Sequence, residues 1–76
     1  MTQRFPAVTG PELVKALKLA GYTEGRWKGS YLHLYRRADA RRVTVPVHKG
    51  RMVPIGTLRA ILKDADLTAD DLRKLL

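Results

Sequence analysis

The chain has 76 residues, no cysteine and a formal charge of +8 at neutral pH. A chain this short buries only about 60% of its unfolded surface, so we expect one small domain over residues 1–76. The lack of cysteine excludes a disulfide framework and a thiolate zinc site. No long apolar run or signal-peptide stretch occurs, so we expect a soluble cytoplasmic protein with no membrane partner.

The positive charge is concentrated in the middle of the chain. From Arg26 to Lys63 there are ten lysines and arginines but one acid, Asp39. Such a basic block with acidic flanks favours a polyanion, and nucleic acid above all, as the partner.

A first helix is predicted from Thr9 onwards. Thr9 and Glu12 have the spacing of a capping box. Apolar residues then recur at helical spacing, at Leu13, Ala16, Leu17 and Ala20. Gly21 suits the left-handed conformation that commonly follows the end of a helix.

The period then changes to that of β-structure. Strands are predicted at residues 22–27, 31–35 and 42–47, with turns at 28–30 and 36–41. Strict alternation in the second strand puts Leu32 and Leu34 on one face and Tyr31, His33 and Tyr35 on the other. Three strands so close in sequence predict an antiparallel meander.

The third strand and the remaining helices complete the expected fold. Pro46 has no N–H to donate, so it predicts a strand end or a sheet edge. A second helix is predicted from near Pro54 to Asp66, where a left-handed residue ends it. Its expected buried face consists of Ile55, Leu58, Ile61, Leu62 and Ala65. A third helix, capped at Thr68 and Asp71, carries Leu72, Leu75 and Leu76. This order predicts an α+β domain with its helices on one face of a three-stranded antiparallel sheet.

The face that carries Tyr31, His33 and Tyr35 cannot be core if Leu32 and Leu34 are. It is either an ordinary solvated face or a surface where aromatic rings stack on RNA bases beside an imidazole. His33 and His48 have the side chain that general acid–base catalysis uses most, although an isolated surface histidine is usually inert. Two histidines without neighbouring acids make a poor metal site, so we expect no metal and no cofactor.

Basic and polar residues border this face in the predicted topology. The residues expected to contact RNA are Lys28, Ser30, Tyr35, Arg36, Arg37, Arg41, Arg42, His48, Lys49 and Arg51. If several of them neutralise phosphates, binding will depend strongly on salt. The alternative is a solvated surface that keeps the protein soluble.

Several segments together resemble the HicA toxin family of bacterial toxin–antitoxin pairs. They are "KGS" before the alternating strand, "RRVTVPVH", "VPIGTLRAILKDADLT" and the first helix at residues 10–17. The most specific part joins residues 43–46 to residues 54–62. The resemblance implies a fold like that of double-stranded-RNA-binding domains and metal-independent cleavage of mRNA. It also implies a HicB-type antitoxin that covers the active surface.

The sequence departs from the family at one position. The family has Gly-Ser-His at the start of the second strand, with a catalytic histidine, whereas this chain has Gly29-Ser30-Tyr31. A phenol is a poor base at neutral pH. Three hypotheses follow: His33 takes the role, the chain is inactive but still binds RNA and antitoxin, or Tyr31 is an attenuating change.

For an active form, we expect transesterification, with the basic residues assigned by their place in the predicted fold. A histidine takes the 2′-OH proton, and Lys28 together with Arg36 or Lys49 stabilises the developing charge. Two other hypotheses remain: a non-catalytic RNA-binding module, and an interaction domain whose basic face binds an acidic partner.

Overall fold

The computed structural model describes residues 4–76 and contains three helices and one antiparallel sheet. The helices are α1 (Gly10–Leu19), α2 (Ile55–Asp64) and α3 (Ala69–Leu75). The strands are β1 (Thr23–Lys28), β2 (Tyr31–Arg36) and β3 (Arg41–Pro46), paired in the order β1-β2-β3. The predicted α+β architecture is confirmed, with strand ends shifted by one residue. Residues 1–3, part of the segment searched for a signal peptide, lie outside the described range.

Capping residues set the ends of the first helix as predicted. The Thr9 side chain accepts from the Glu12 N–H, and Glu12 accepts from the Thr9 N–H at 2.8 Å. Those hydrogen bonds, with Thr9, lower the pKa of the Glu12 carboxyl. Gly21 follows the helix with a φ of +99°, the left-handed conformation in which glycine has no steric cost.

The core lies between the helices and one face of the sheet. Leu32 and Leu34 of β2, with Val43 and Val45 of β3, are at most 3% exposed and pack in one cluster with residues from α1, α2 and α3. The alternation in the sequence therefore identified the buried face of β2 correctly. In the part of the chain that the structure describes, the helices are too short and too polar to cross a bilayer.

The prediction was wrong at Ile55, which was expected in the buried face of α2, and at Tyr22, which was expected in the first strand. Ile55 and Leu76 are each 56% exposed, because they lie at the first position of α2 and at the chain end, beyond the reach of the core. Tyr22 was assigned to the first strand, but it precedes β1 and is buried. Its hydroxyl donates to the Ala65 carbonyl at 3.0 Å. Burial raises the pKa of the Tyr22 phenol, so the hydroxyl keeps the proton that it donates.

A β-bulge interrupts the pairing of β1 with β2. Glu24 pairs with Leu34 and Trp27 with Leu32, so two residues of β1 lie opposite one residue of β2. The extra residue turns Trp27 to the helix-facing side of the sheet, where it borders a groove beside α1. Without the bulge, Trp27 would lie on the same side as Tyr31.

Candidate functional site

The face of the sheet opposite the helices is uncovered and carries the residues predicted to act on RNA. We call this surface the open face; its members on β2 are Tyr31, His33 and Tyr35, all exposed. On β3 their register partners are, in order, Pro46, Thr44 and Arg42. Paired residues of neighbouring strands point to the same side, so three cross-strand rows run along the open face.

The first row holds Tyr31 and two basic groups. Lys28 of β1 pairs directly with Tyr31 across a tight hairpin turn. The imidazole of His48 meets the Tyr31 ring edge-on, with 6.3 Å between ring centroids. A hydrogen bond of 2.8 Å from the Val47 N–H to the Ser30 carbonyl holds the chain before His48 against this hairpin. The structure therefore brings Lys28, Tyr31 and His48 together, with a stacking ring between a cation and an imidazole.

The second row holds His33. Its Nδ1 lies 2.8 Å from the Thr44 hydroxyl oxygen on β3. This contact fixes the plane of the ring. If Nδ1–H donates to the hydroxyl, Nε2 is left as a base; if the hydroxyl donates, Nε2 carries the proton. Two residues of strand separate His33 from Tyr31, which corresponds to about 6–7 Å along the open face.

Thr44 is the functional neighbour that sequence reasoning missed. Nothing in the residue itself marks it, since threonine is common in strands. The signal that identifies it is the strand register, because His33 and Thr44 are direct partners in the β2–β3 ladder. That register was not fixed by the pattern of residues alone.

The third row holds Tyr35 and Arg42 at the opposite end of the open face from Tyr31. Arg37, the first residue after β2, lies at the same end. Tyr35, Arg37 and Arg42 line a cleft of about 490 Å³, together with Arg36 and Ala40. This end therefore combines an aromatic ring with two exposed guanidinium groups.

Arg36 and Arg41 were grouped with these residues as RNA contacts, and the structure places them elsewhere. Both point to the helix side of the sheet, where Asp39 binds them. Arg36 forms a bidentate ion pair with Asp39, with N–O distances of 3.0 and 2.7 Å. The Arg36 hydrogen bonds, and the Arg41 backbone N–H, lower the pKa of Asp39 to about 2.

Arg36 also ties the sheet to two helices. Its guanidinium donates to the carbonyls of Ala20, after α1, at 3.3 Å, and of Ala65, after α2, at 3.4 Å. It lies over the Tyr22 ring, 4.8 Å from the centroid. Carbonyls at helix ends lack partners within the helix and carry partial negative charge. Arg36 is therefore a structural residue, and strand alternation is the reason that it does not lie on the open face.

The remaining predicted contacts lie in the loop after β3. Lys49 and Arg51 are exposed in the turn that follows His48, which is closed by a 3.0 Å hydrogen bond from the Arg51 N–H to the His48 carbonyl. They add charge near the Tyr31 end. Over residues 4–76, no group of three His, Asp or Glu side chains has the spacing of a metal site.

A known family of proteins matches most of the chain. The model of a family described as the HicA toxin of bacterial toxin–antitoxin systems matches residues 10–67, from the start of α1 to the residue before the α3 cap. The chain belongs to the HicA toxin family. A search of curated proteins finds no match. Membership in a family of paired toxins and antitoxins implies an antitoxin partner for this HicA chain.

Proposed function

We propose that this HicA chain binds mRNA on the open face and is a metal-independent endoribonuclease attenuated at position 31. The observation that carries the proposal is the grouping of Lys28, Tyr31 and His48 in one row, with His33 in the next, in a HicA family chain. Aromatic rings among cations are the means by which proteins bind single-stranded RNA.

The reaction of the active form is transesterification. An imidazole takes the proton of a ribose 2′-OH, O2′ attacks the adjacent phosphorus, and the bond from phosphorus to the next O5′ breaks. A second group returns a proton to the leaving O5′. The products are a 2′,3′-cyclic phosphate and a 5′-hydroxyl. Lys28 and Lys49 supply the positive charge that stabilises the extra charge on phosphate in the transition state.

The proposed attenuation rests on Tyr31. It stands where the family has its Gly-Ser-His histidine, and a phenol does not take a proton at neutral pH. Its ring still offers an exposed face for stacking on a base, since 49% of the residue is accessible. Binding is therefore retained while proton abstraction is impaired.

A HicB-type antitoxin is the partner we propose for the open face. Its binding there would cover Tyr31, His33 and Tyr35 at once. The face presents basic side chains, so an acidic antitoxin surface would be electrostatically complementary to it.

The test compares the natural chain with Tyr31→His and Tyr31→Phe on single-stranded RNA in EDTA, with analysis of product ends. We expect cleavage to cyclic phosphates to rise strongly for Tyr31→His, while Tyr31→Phe, the matched control, stays at the level of the natural chain. Cleavage by all three chains would make His33 the base, to be tested by His33→Gln. Cleavage of DNA would contradict the mechanism, and so would the loss of RNA cleavage when EDTA is added.

A non-catalytic RNA-binding module is the second candidate. The observation that favours it is Tyr31 itself, a stacking residue in place of a base. It would be supported if the natural chain and Tyr31→His both bound RNA and neither cleaved it.

A further inference from the structure

We propose that Tyr35, Arg37 and Arg42 form a nucleotide subsite at the end of the open face away from Tyr31. In this subsite Tyr35 stacks on a base and the two arginines bind a phosphate of the same single strand. The inference rests on the proposed RNA binding and deepens it, because it states where one nucleotide lies.

The first support is the geometry of this end. Arg42 is the direct register partner of Tyr35, and Arg37 begins the turn that joins β2 to β3. The three side chains line one cleft of about 490 Å³. Tyr35 is 39% exposed and its ring atom Cδ1 lies beside Gly25 of β1, so the side chain is partly covered and partly accessible. A partly covered ring loses little conformational freedom when a base stacks on it.

The second support is the distribution of charge around the turn. The turn between β2 and β3 contains one acidic residue, Asp39. Arg36 and Arg41 bind this carboxylate on the helix side of the sheet. Among the ion pairs of the described residues, none involves Arg37 or Arg42. Two arginines without an ion-pair partner among the described residues thus line the cleft, and the planar guanidinium group suits bidentate binding of phosphate.

The third support is the distance from the candidate reaction centre. Tyr35 is two residues from His33 and four from Tyr31 on one strand, or about 7 and 13 Å. An extended single strand along β2 would therefore contact both ends of the open face within a few nucleotides. Duplex RNA could not bind the subsite in this way, because its bases stack on each other and are not available to Tyr35.

The experiment measures binding of two labelled oligomers by fluorescence anisotropy at several salt concentrations. One is a short single-stranded 2′-O-methyl RNA, which the proposed reaction cannot cleave. The other is an abasic oligomer of the same length, which keeps the phosphates and removes the bases. The variants are Tyr35→Leu, Tyr35→Phe, Arg37→Gln and Arg42→Gln. Lys63→Gln, which removes one charge at an exposed position of α2, is the matched control.

We expect Tyr35→Leu to weaken binding of the RNA oligomer about fivefold to 100-fold and leave the abasic oligomer unaffected. Tyr35→Phe keeps the ring and should bind as the natural chain does. Arg37→Gln and Arg42→Gln should weaken both oligomers, and each should lower the slope of log affinity against log salt by about 0.7. Lys63→Gln should change neither slope nor affinity appreciably.

Two results would overturn the subsite. One is RNA binding by Tyr35→Leu and Arg42→Gln equal to that of the natural chain. The other is that Tyr35→Leu loses the same affinity for the RNA oligomer as for the abasic oligomer. A surface that binds an acidic protein would not distinguish an oligomer with bases from one without them. Failure of the natural chain to bind the RNA oligomer at all would overturn the proposed function as well, so the two failures are distinguishable.

Discussion

Arg36 and Arg37 are neighbours in the chain, yet they belong to different regions of the molecule. The Arg36 side chain is 18% exposed and bound to Asp39 and to two helix-end carbonyls. Arg37 is exposed beside the cleft at Tyr35. Arg41 and Arg42 repeat this division across the hairpin. In each basic pair, one residue binds Asp39 on the helix side and the next lines the cleft at Tyr35, so charge alone does not predict which residue is available to an anion.

The largest effect that tests this division comes from Arg36→Gln. We expect it to lower the free energy of unfolding by about 2 kcal/mol, because it removes charged hydrogen bonds and the stacking over Tyr22. Arg37→Gln, its matched control, should stay within about 0.5 kcal/mol. Urea denaturation followed by circular dichroism measures both. The division would fail if Arg37→Gln were the more destabilising of the two.

A smaller effect is expected for Tyr22→Phe. It deletes the buried hydroxyl that donates to Ala65, at a cost of about 1 kcal/mol. RNA affinity should not change, because Tyr22 lies on the helix side. Tyr31→Phe is the control, because it also removes a tyrosine hydroxyl, but an exposed one. Its loss should leave the unfolding midpoint in urea unchanged. Equal destabilisation by the two substitutions would argue against a specific role for the Tyr22 hydroxyl.

The smallest expected effect is on stability at acidic pH. The pKa of Asp39 falls from 3.8 to about 2 in the folded chain, through its hydrogen bonds with Arg36. Because the pKa of Asp39 is lower in the folded chain than in the unfolded chain, its ionised carboxylate stabilises the fold fully above about pH 4. This stabilisation is lost as the pH falls towards 2. Thermal melts across this range should show a smaller loss of Tm for Asp39→Asn than for the natural chain. Identical acid profiles would mean that the ion pair contributes nothing to stability.

Much of the fold follows from local signals in the sequence. The Thr9 and Glu12 cap, the left-handed residues Gly21 and Asp66 and the alternation around Leu32 all appear as expected. Each is determined by residues within a few positions of one another, which is why local rules suffice.

The features that were missed depend on distant partners. Arg36 is separated by 29 residues from Ala65, and Tyr22 by 43 from the same carbonyl. His48 approaches Tyr31 only after the chain has passed through β3. These contacts come from the packing of the whole domain. The bulge that redirects Trp27 is an exception, because it lies at Gly25 and Arg26, and a glycine inside a strand is a local signal of a bulge.

The exposure of Tyr31 has a consequence for how a toxin of this kind mutates. Side chains on the open face add little to folding stability, so a substitution there alters chemistry and leaves the folded protein intact. Tyrosine and histidine codons differ by a single base. If Tyr31→His cleaves RNA and the present chain does not, one base change in the gene is enough to create a nuclease. In that case the antitoxin would protect the cell against such a mutant as well as against the present chain.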